Sequence, residues 1–422
     1  MEREYLSFVL LILMLACTQD DVPVVNDFEI ETDAQYYAKD QIDAWVFFND
    51  SEGKLIDQAQ ITNGGLLNLR SFAVPNQKIS VTLVKVLKNL DGRPSFYIES
   101  FLNVNFPTKW KLNAPETQLA CENEKGVLDL TIEDLSLGNL HDVSASDLRA
   151  TYYPLLANSS ASSFKFSPLN IAENCSSSFF LYALDKSGSP KYKFIEFAQP
   201  GAVTYSLKDF TSFDKITEIT LPPNAFAYLY VKAFDAGKSV HGEGYTTNAA
   251  FSSFFNNIPI SSYKIGYLDR FPKYRTSVYA SYNNFQTERY AIIYDEAGST
   301  PSTINLDNDF NPSVTNSSFS QYNYASNKLV VFKRIRFGYS PLVSSNNSYI
   351  EWAIFSGDDT SKNPIEIPNS FTQKYPDFYK DKLTLYSSLL YTKYNSFDEE
   401  IAFKFEGVAK KEAFIHFGKE LY

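Results

Sequence analysis

Cysteine, histidine, methionine and tryptophan are nearly missing from this chain of 422 residues, which holds three Cys, three His, two Met and three Trp. Three cysteines are too few for a disulfide-dense scaffold. His141, His241 and His416 are scattered, with Asp142 beside the first and Glu243 two residues beyond the second. A zinc site draws three or four side-chain ligands at characteristic spacing, so all three histidines are read as surface or structural residues. A surplus of basic charge is lacking as well. The 38 Lys and Arg face 49 Asp and Glu, for a net charge of −11. No nucleic acid is expected as a partner, because phosphates call for a basic face. Long apolar runs are absent: the stretch at residues 8–16, FVLLILMLA, has nine residues where a membrane-spanning helix needs about 20. Nucleophile and phosphate-cradling motifs are missing too, with no Gly-x-Ser-x-Gly, no Gly-x-x-x-x-Gly-Lys and no His-Glu-x-x-His.

What is abundant is aromatic. The 35 Phe and 29 Tyr suit pleated, half-buried surfaces, where a ring buries a large area. Alternating stretches predict strands at 42–48, 77–87, 95–104, 127–133, 291–294, 328–337, 349–355 and 400–406. Residues 216–234 read as two strands around the turn Pro222-Pro223. The best candidate for a helix is short, residues 144–153, with a Ser cap and an Asp in its first turn. An apolar strand broken by an acid and then a glycine recurs at 46–53 (VFFNDSEG), 181–188 (LYALDKSG), 231–237 (VKAFDAG) and 292–298 (IIYDEAG). Asp bonds its own backbone and Gly supplies positive φ, so each is read as a hairpin turn. Their unequal spacing excludes a propeller or solenoid of fixed period. The expected fold class is all-β: tandem β-sandwich domains of immunoglobulin-like type, with little helix and long loops such as 305–327.

Residues 8–16 have the length of the apolar core of a secretory signal peptide. They run into Leu13-Met14-Leu15-Ala16-Cys17, which resembles the bacterial lipobox. That resemblance implies that residues 1–16 are a signal peptide and that Cys17 becomes the acylated mature N-terminus. Two or three acyl chains, at about 0.8 kcal/mol per methylene, hold a protein stably on a membrane. The leader departs from the pattern, since Glu2-Arg3-Glu4 sums to −1. Asp20 and Asp21, just behind the cysteine, are similar to the acidic export tag of Bacteroidota-type surface lipoproteins. The implied location is the outer membrane, lipid-anchored and facing the cell exterior. Removing one Arg and two Glu with residues 1–16 would leave 406 residues at −10. Residues 42–61, which include VFFNDSEGKLIDQAQI, resemble the opening hairpin of carboxypeptidase-regulatory and other immunoglobulin-like modules.

The expected organisation is a tether at 17–28, an N-terminal β-sandwich at 29–114, a second β domain at 118–238 and a third at 239–422, separate from the second or continuous with it. An oxidising compartment permits a disulfide between Cys121 and Cys175, whose loop of about 54 residues would contribute about 4 kcal/mol. Two separate buried thiols are the alternative. Trp45, amid apolar residues, is expected in the core. Trp110 (between two lysines), Trp352 (after Glu351), Tyr322 and Tyr324 are candidates for stacking on a ligand. Asp307, Asp309 and Asn311 match the first half of a calcium loop, although Pro312 and Ser318 stand where an EF-hand wants Gly and Glu. No other cofactor motif is present. The resulting expectation is an extracytoplasmic lipoprotein that binds a glycan or a protein. One alternative is an accessory subunit of an outer-membrane transport or secretion complex. A second is a hydrolase built on a carboxylate pair, since such a pair can come from anywhere in a chain with 49 acids.

Overall fold

A computed structural model describes residues 26–422 except 72–77, 90–91, 106–107, 115–122, 135–141, 156–162, 173–176, 186, 251–259, 285–287, 302–303, 305, 307–308, 341–348 and 358–364. Cys17, Cys121, Cys175, His141 and Asp307 lie outside the described residues, as do residues 1–25, which hold the expected signal peptide at 1–16 and most of the expected tether at 17–28. The first strands are β1 (Asn26–Thr32), β2 (Gln41–Asn49), β3 (Leu55–Gln60), β4 (Leu66–Ser71), β5 (Lys78–Lys88), β6 (Pro94–Asn105) and β7 (Lys109–Leu112). Next come β8 (Glu124–Glu133), β9 (Val143–Ser146), β10 (Thr151–Tyr152), β11 (Ser163–Lys165), β12 (Leu169–Ala172), β13 (Phe179–Leu184), β14 (Pro190–Ile195), β15 (Gly201–Ser206) and β16 (Thr211–Ser212). Then follow β17 (Lys215–Phe234), β18 (Tyr245–Ala250), β19 (Ile260–Tyr267), β20 (Lys273–Asn284), β21 (Glu288–Gly298), β22 (Ser313–Asn316), β23 (Asn323–Ala325), β24 (Phe332–Tyr339), β25 (Ile350–Ser356), β26 (Thr384–Lys393) and β27 (Phe414–Leu421). Among the described residues two short α-helices, α1 (Asn369–Lys374) and α2 (Phe397–Phe405), accompany the strands. The chain is all-β, as expected.

One sheet dominates, in the order β18-β17-β20-β21-β27-β26-β24-β25-β6-β5-β2-β3, with β19 beside the first half of β17. Strands of the segments 29–114 and 239–422 therefore share a sheet, joined by the parallel pair β6–β25 that sets Tyr97 opposite Glu351 and Glu99 opposite Ala353. β17, within 118–238, belongs to the same sheet. Residues 124–212 form a sandwich of their own: β11-β8-β12 with β15 faces β10-β9-β13-β14-β16 across a core of Leu128, Leu130, Ile132, Phe179 and Leu181. The other face of β13 turns Phe180 and Tyr182 into the core of the main sheet. β13 is thus buried on both sides, which explains its unbroken apolar run FFLYAL.

β2 and β5 are apolar for the same reason. One face, with Val46, Phe48, Val81 and Leu83, packs under the small sheet β4-β1-β7 and helix α2. The opposite face, with Phe47 and Val84, packs on α1 and on the segment bearing Phe319 and Tyr322. Phe371 of α1 is the hub there, with ring centroids 5.3 Å from Phe47, 6.0 Å from Phe96 and 5.4 Å from Phe378.

Several local expectations are corrected. Residues 144–153 are strand and turn rather than helix. Asp147 Oδ1 accepts the backbone N–H of Arg149 at 2.8 Å and of Ala150 at 2.7 Å, so the acid closes a turn that competes with helix. Residues 400–406 belong to a helix rather than a strand. Ser396 caps α2 by accepting the Glu399 N–H, and the Glu399 side chain returns the bond to Ser396, while Phe397, Ile401 and Phe405 are buried on one stripe. Residues 216–234 are one strand, not two. The register of β17 against β19 shifts between Thr220 and Ala225, across the prolines; that pairing ends at Ala225, and pairing with β20 begins at Phe226. The motif at 292–298 runs inside β21, with Asp295 mid-strand opposite His416. The first three such motifs do close turns, through Asp50, Asp185 and the Asp235 carbonyl and through the positive φ of Gly53, Gly188 and Gly237. The span 305–327 carries the hairpin β22–β23 rather than loop alone.

Candidate functional site

The aromatic residues first suspected of meeting a ligand are in the core. Trp110 and Trp352 are 0% exposed and Tyr322 is 1% exposed. Trp110 stacks on Phe405 of α2 with centroids 4.0 Å apart. Trp352 donates its Nε1–H to Ser100 Oγ at 2.8 Å, and Tyr322 pairs with the Ser388 hydroxyl. Those three expectations are corrected; Tyr324 is half-buried, with the Lys333 ammonium 5.4 Å above its ring. Trp45 is half-buried and donates to Asp43 Oδ2 at 2.8 Å. At the calcium candidate, Asn311 Oδ1 accepts from the Lys419 ammonium at 3.4 Å, and the Asp309 carbonyl accepts from Asn327. Among the described residues no three His, Cys, Asp or Glu side chains group to hold a metal.

A different surface gathers polar chemistry. The face of β5, β6, β25 and β24 that α2 covers at Val81 and Phe101 continues uncovered at Lys85, Tyr97, Glu351 and Gly338. Alternation puts these residues there: in β25 Ile350, Trp352 and Ile354 point to the core, while Glu351, Ala353 and Phe355 face outward. In β24 Ile335 and Phe337 point in, and Arg334, Arg336 and Gly338 point out. The cross-strand register aligns Glu99 with Ala353 and Ala353 with Arg336. The result is a groove made of a cavity of about 370 Å³, bordered by Lys85, Glu99 and Arg334, and one of about 480 Å³, bordered by Tyr339, Tyr349 and Tyr386. Arg336 and Glu351 line both. Ala353 and Gly338 keep the floor low between the larger side chains.

The acids of this groove are engaged. Lys404 of α2 bridges Glu99 at 2.8 Å and lies 4.8 Å above the Phe101 ring. Tyr349 donates to Glu351 Oε2 at 3.1 Å; burial and the Glu351 charge push its hydroxyl up to about 12. Burial holds Lys85 below the usual lysine range, with Glu99 opposing and Lys404 adding to the effect. The arginines are not engaged. Among the described residues neither Arg334 nor Arg336 has a carboxylate or hydrogen-bond partner, and Arg334 Nε is buried without an acceptor. Two tyrosine rings stand open at the rim, Tyr97 at 38% and Tyr386 at 64% exposure.

A second cleft, of about 250 Å³, lies between β21, β27 and α2 and is lined by His241, Arg275, Asp295, Tyr394, Glu400 and His416. Here the strong groups satisfy one another. Arg275 grips Asp295 through Nε at 3.0 Å and Nη2 at 2.6 Å, and Ser277 donates to the same carboxylate. His416 is sandwiched between Tyr394 at 4.0 Å and Phe414 at 4.4 Å. Burial, opposed by Asp295, lowers its pKa to about 4, and its Nε2 has no partner. Asp295 and Glu400 thus share a cleft, and both oxygens of Asp295 accept hydrogen bonds from Arg275 or Ser277.

Neither the Arg334–Arg336 pair nor the open tyrosines were singled out from sequence. Their signal is present as the alternating KRIRFGY and IEWAIFS, but only the pairing of β25 with β6 brings the four strands together. No protein-family model matches the chain. No curated protein matches it either. A solved structure described as Escherichia coli alpha-2-macroglobulin activated by porcine elastase aligns with 96% of this chain and 43% of its own at 11% identity, with a TM-score of 0.14. The chain thus spans less than half the length of that neighbour, and a likeness of this degree carries no argument about fold or function.

Proposed function

We propose that this chain is a lipid-anchored, extracytoplasmic binding protein of the bacterial surface, and that it takes an extended glycan along the groove between β5 and β26. The anchor reading rests on Leu13-Met14-Leu15-Ala16-Cys17 and the acids that follow. The binding reading rests on one observation above all: a groove crossing the face of the main sheet, with guanidiniums on its floor that are unpaired among the described residues and open tyrosine rings at its rim. Aromatic rings give the apolar faces of sugars a platform, and fixed polar side chains read their hydroxyls. A glycan array probed with the purified protein, alongside Tyr386→Ala, tests this. Binding that drops several-fold in the variant is expected; an array with no glycan bound by the parent would refute it. For the anchor, Cys17→Ser should move the protein from the membrane fraction to the soluble one, and continued retention would contradict acylation.

A further inference from the structure

We infer that the ligand of this groove is an anionic polysaccharide, its carboxylate or sulfate groups gripped by Arg334 and Arg336; this rests on the glycan-binding reading above. The protein as a whole carries −11, so an average patch of its surface offers more acid than base. The groove reverses that balance. Its lining holds Lys85, Arg334 and Arg336 against Glu99 and Glu351. Glu99 is neutralised by Lys404 and Glu351 accepts from Tyr349, leaving the two guanidiniums with no acid or acceptor to bind among the described residues. They stand two residues apart on β24, about 7 Å along the strand, where like charges repel. Leaving one Nε–H buried without an acceptor costs stability as well. An arrangement that is unfavourable in the free protein becomes favourable when an anion arrives, because each guanidinium presents a planar fork of donors that fits a carboxylate or sulfate oxygen pair.

The geometry favours a polysaccharide over an acidic peptide. A peptide in extended form docks at the edge of a sheet, where main-chain groups are free to pair. The groove crosses the face of β5, β6, β25 and β24, and each of these strands already pairs on both sides. Recognition must come from side chains, and those on offer are arginine forks and the exposed rings of Tyr97 and Tyr386, which suit a charged sugar chain.

Isothermal titration of the purified full chain with polygalacturonate, carboxyl-reduced polygalacturonate, chondroitin sulfate and poly-L-glutamate tests the inference. Binding to at least one acidic polysaccharide is expected. It should fall about tenfold or more in Arg336→Gln, fall further in the Arg334→Gln/Arg336→Gln double variant, and weaken as salt rises. Because Arg334 is partly buried, the single variant decides the matter if the double one misfolds, with thermal unfolding as the control. Equal binding of the carboxyl-reduced polymer, or no change in Arg336→Gln, would overturn the anionic assignment while sparing the glycan reading. Poly-L-glutamate bound as tightly as the polysaccharides would overturn the choice of a sugar. If no polysaccharide in the titrations or on the array is bound, the glycan reading itself fails.

Discussion

Arg275 and the pair Arg334–Arg336 occupy the same sheet under opposite conditions. Arg275 holds Asp295 in a two-pronged grip, with Ser277 completing the carboxylate. Among the described residues Arg334 and Arg336 find no acid, although Glu351 is close enough to line the same groove. The surrounding rings differ in the same sense. The cleft closes His416 between Tyr394 and Phe414, whereas Tyr386 at the groove is left 64% exposed. A polar cluster that satisfies itself contributes to folding, and one that does not is available to a ligand. The distinction follows from partners, not from residue type.

The contrast can be probed from the framework outward. Phe371→Ala, which empties the hub behind the groove, should cost about 3–5 kcal/mol in chemical denaturation. A loss below about 1 kcal/mol would mean that α1 is not part of the packed core. Arg275→Ala should cost about 2–3 kcal/mol, since it strands Asp295, whose side chain is 15% exposed; a neutral result would place the ion pair among surface contacts. His416, neutral when folded, contributes stability that is complete above its unfolded pKa of about 6.5 and is lost as pH falls toward its folded value of about 4. Stability should therefore fall by at most about 3 kcal/mol over that window, and His416→Phe, which preserves the ring stack, should flatten this part of the pH profile relative to the parent. Smallest of all, Arg336→Gln should change stability by no more than about 0.5 kcal/mol. A larger destabilisation would mean that the arginine serves the fold after all.

The fold class was legible because alternation and turn chemistry are local. Residues 42–48 and 349–355 read as strands and are strands. The aromatic assignments failed where that same alternation was not followed through. In KWKL the lysines at 109 and 111 face out, so Trp110 between them faces in, and Glu351 outside implies Trp352 inside. Helix α2 carried its own signature, Ser396 followed three residues later by Glu399 and an apolar stripe, which outweighs the strand-like look of 400–406. At 144–153 a Ser and an Asp suggested a cap, but the Asp served a turn. The groove was illegible for a different reason. Its residues come from strands more than 200 positions apart, and no local pattern announces a parallel pairing of β6 with β25.

The position of β27 has a consequence for biogenesis. It covers Phe414–Leu421, yet it sits mid-sheet between β21 and β26, like a keystone set after the two sides of an arch. A nascent chain that stops short of residue 414 has two half-sheets whose edges, β21 and β26, are left without the strand that pairs with both. Such edges invite wrong partners, and closing contacts over so long a sequence separation is slow. Only a chain that has reached residue 421 can close the arch, so a shorter product would betray itself to proteases by failing to assemble.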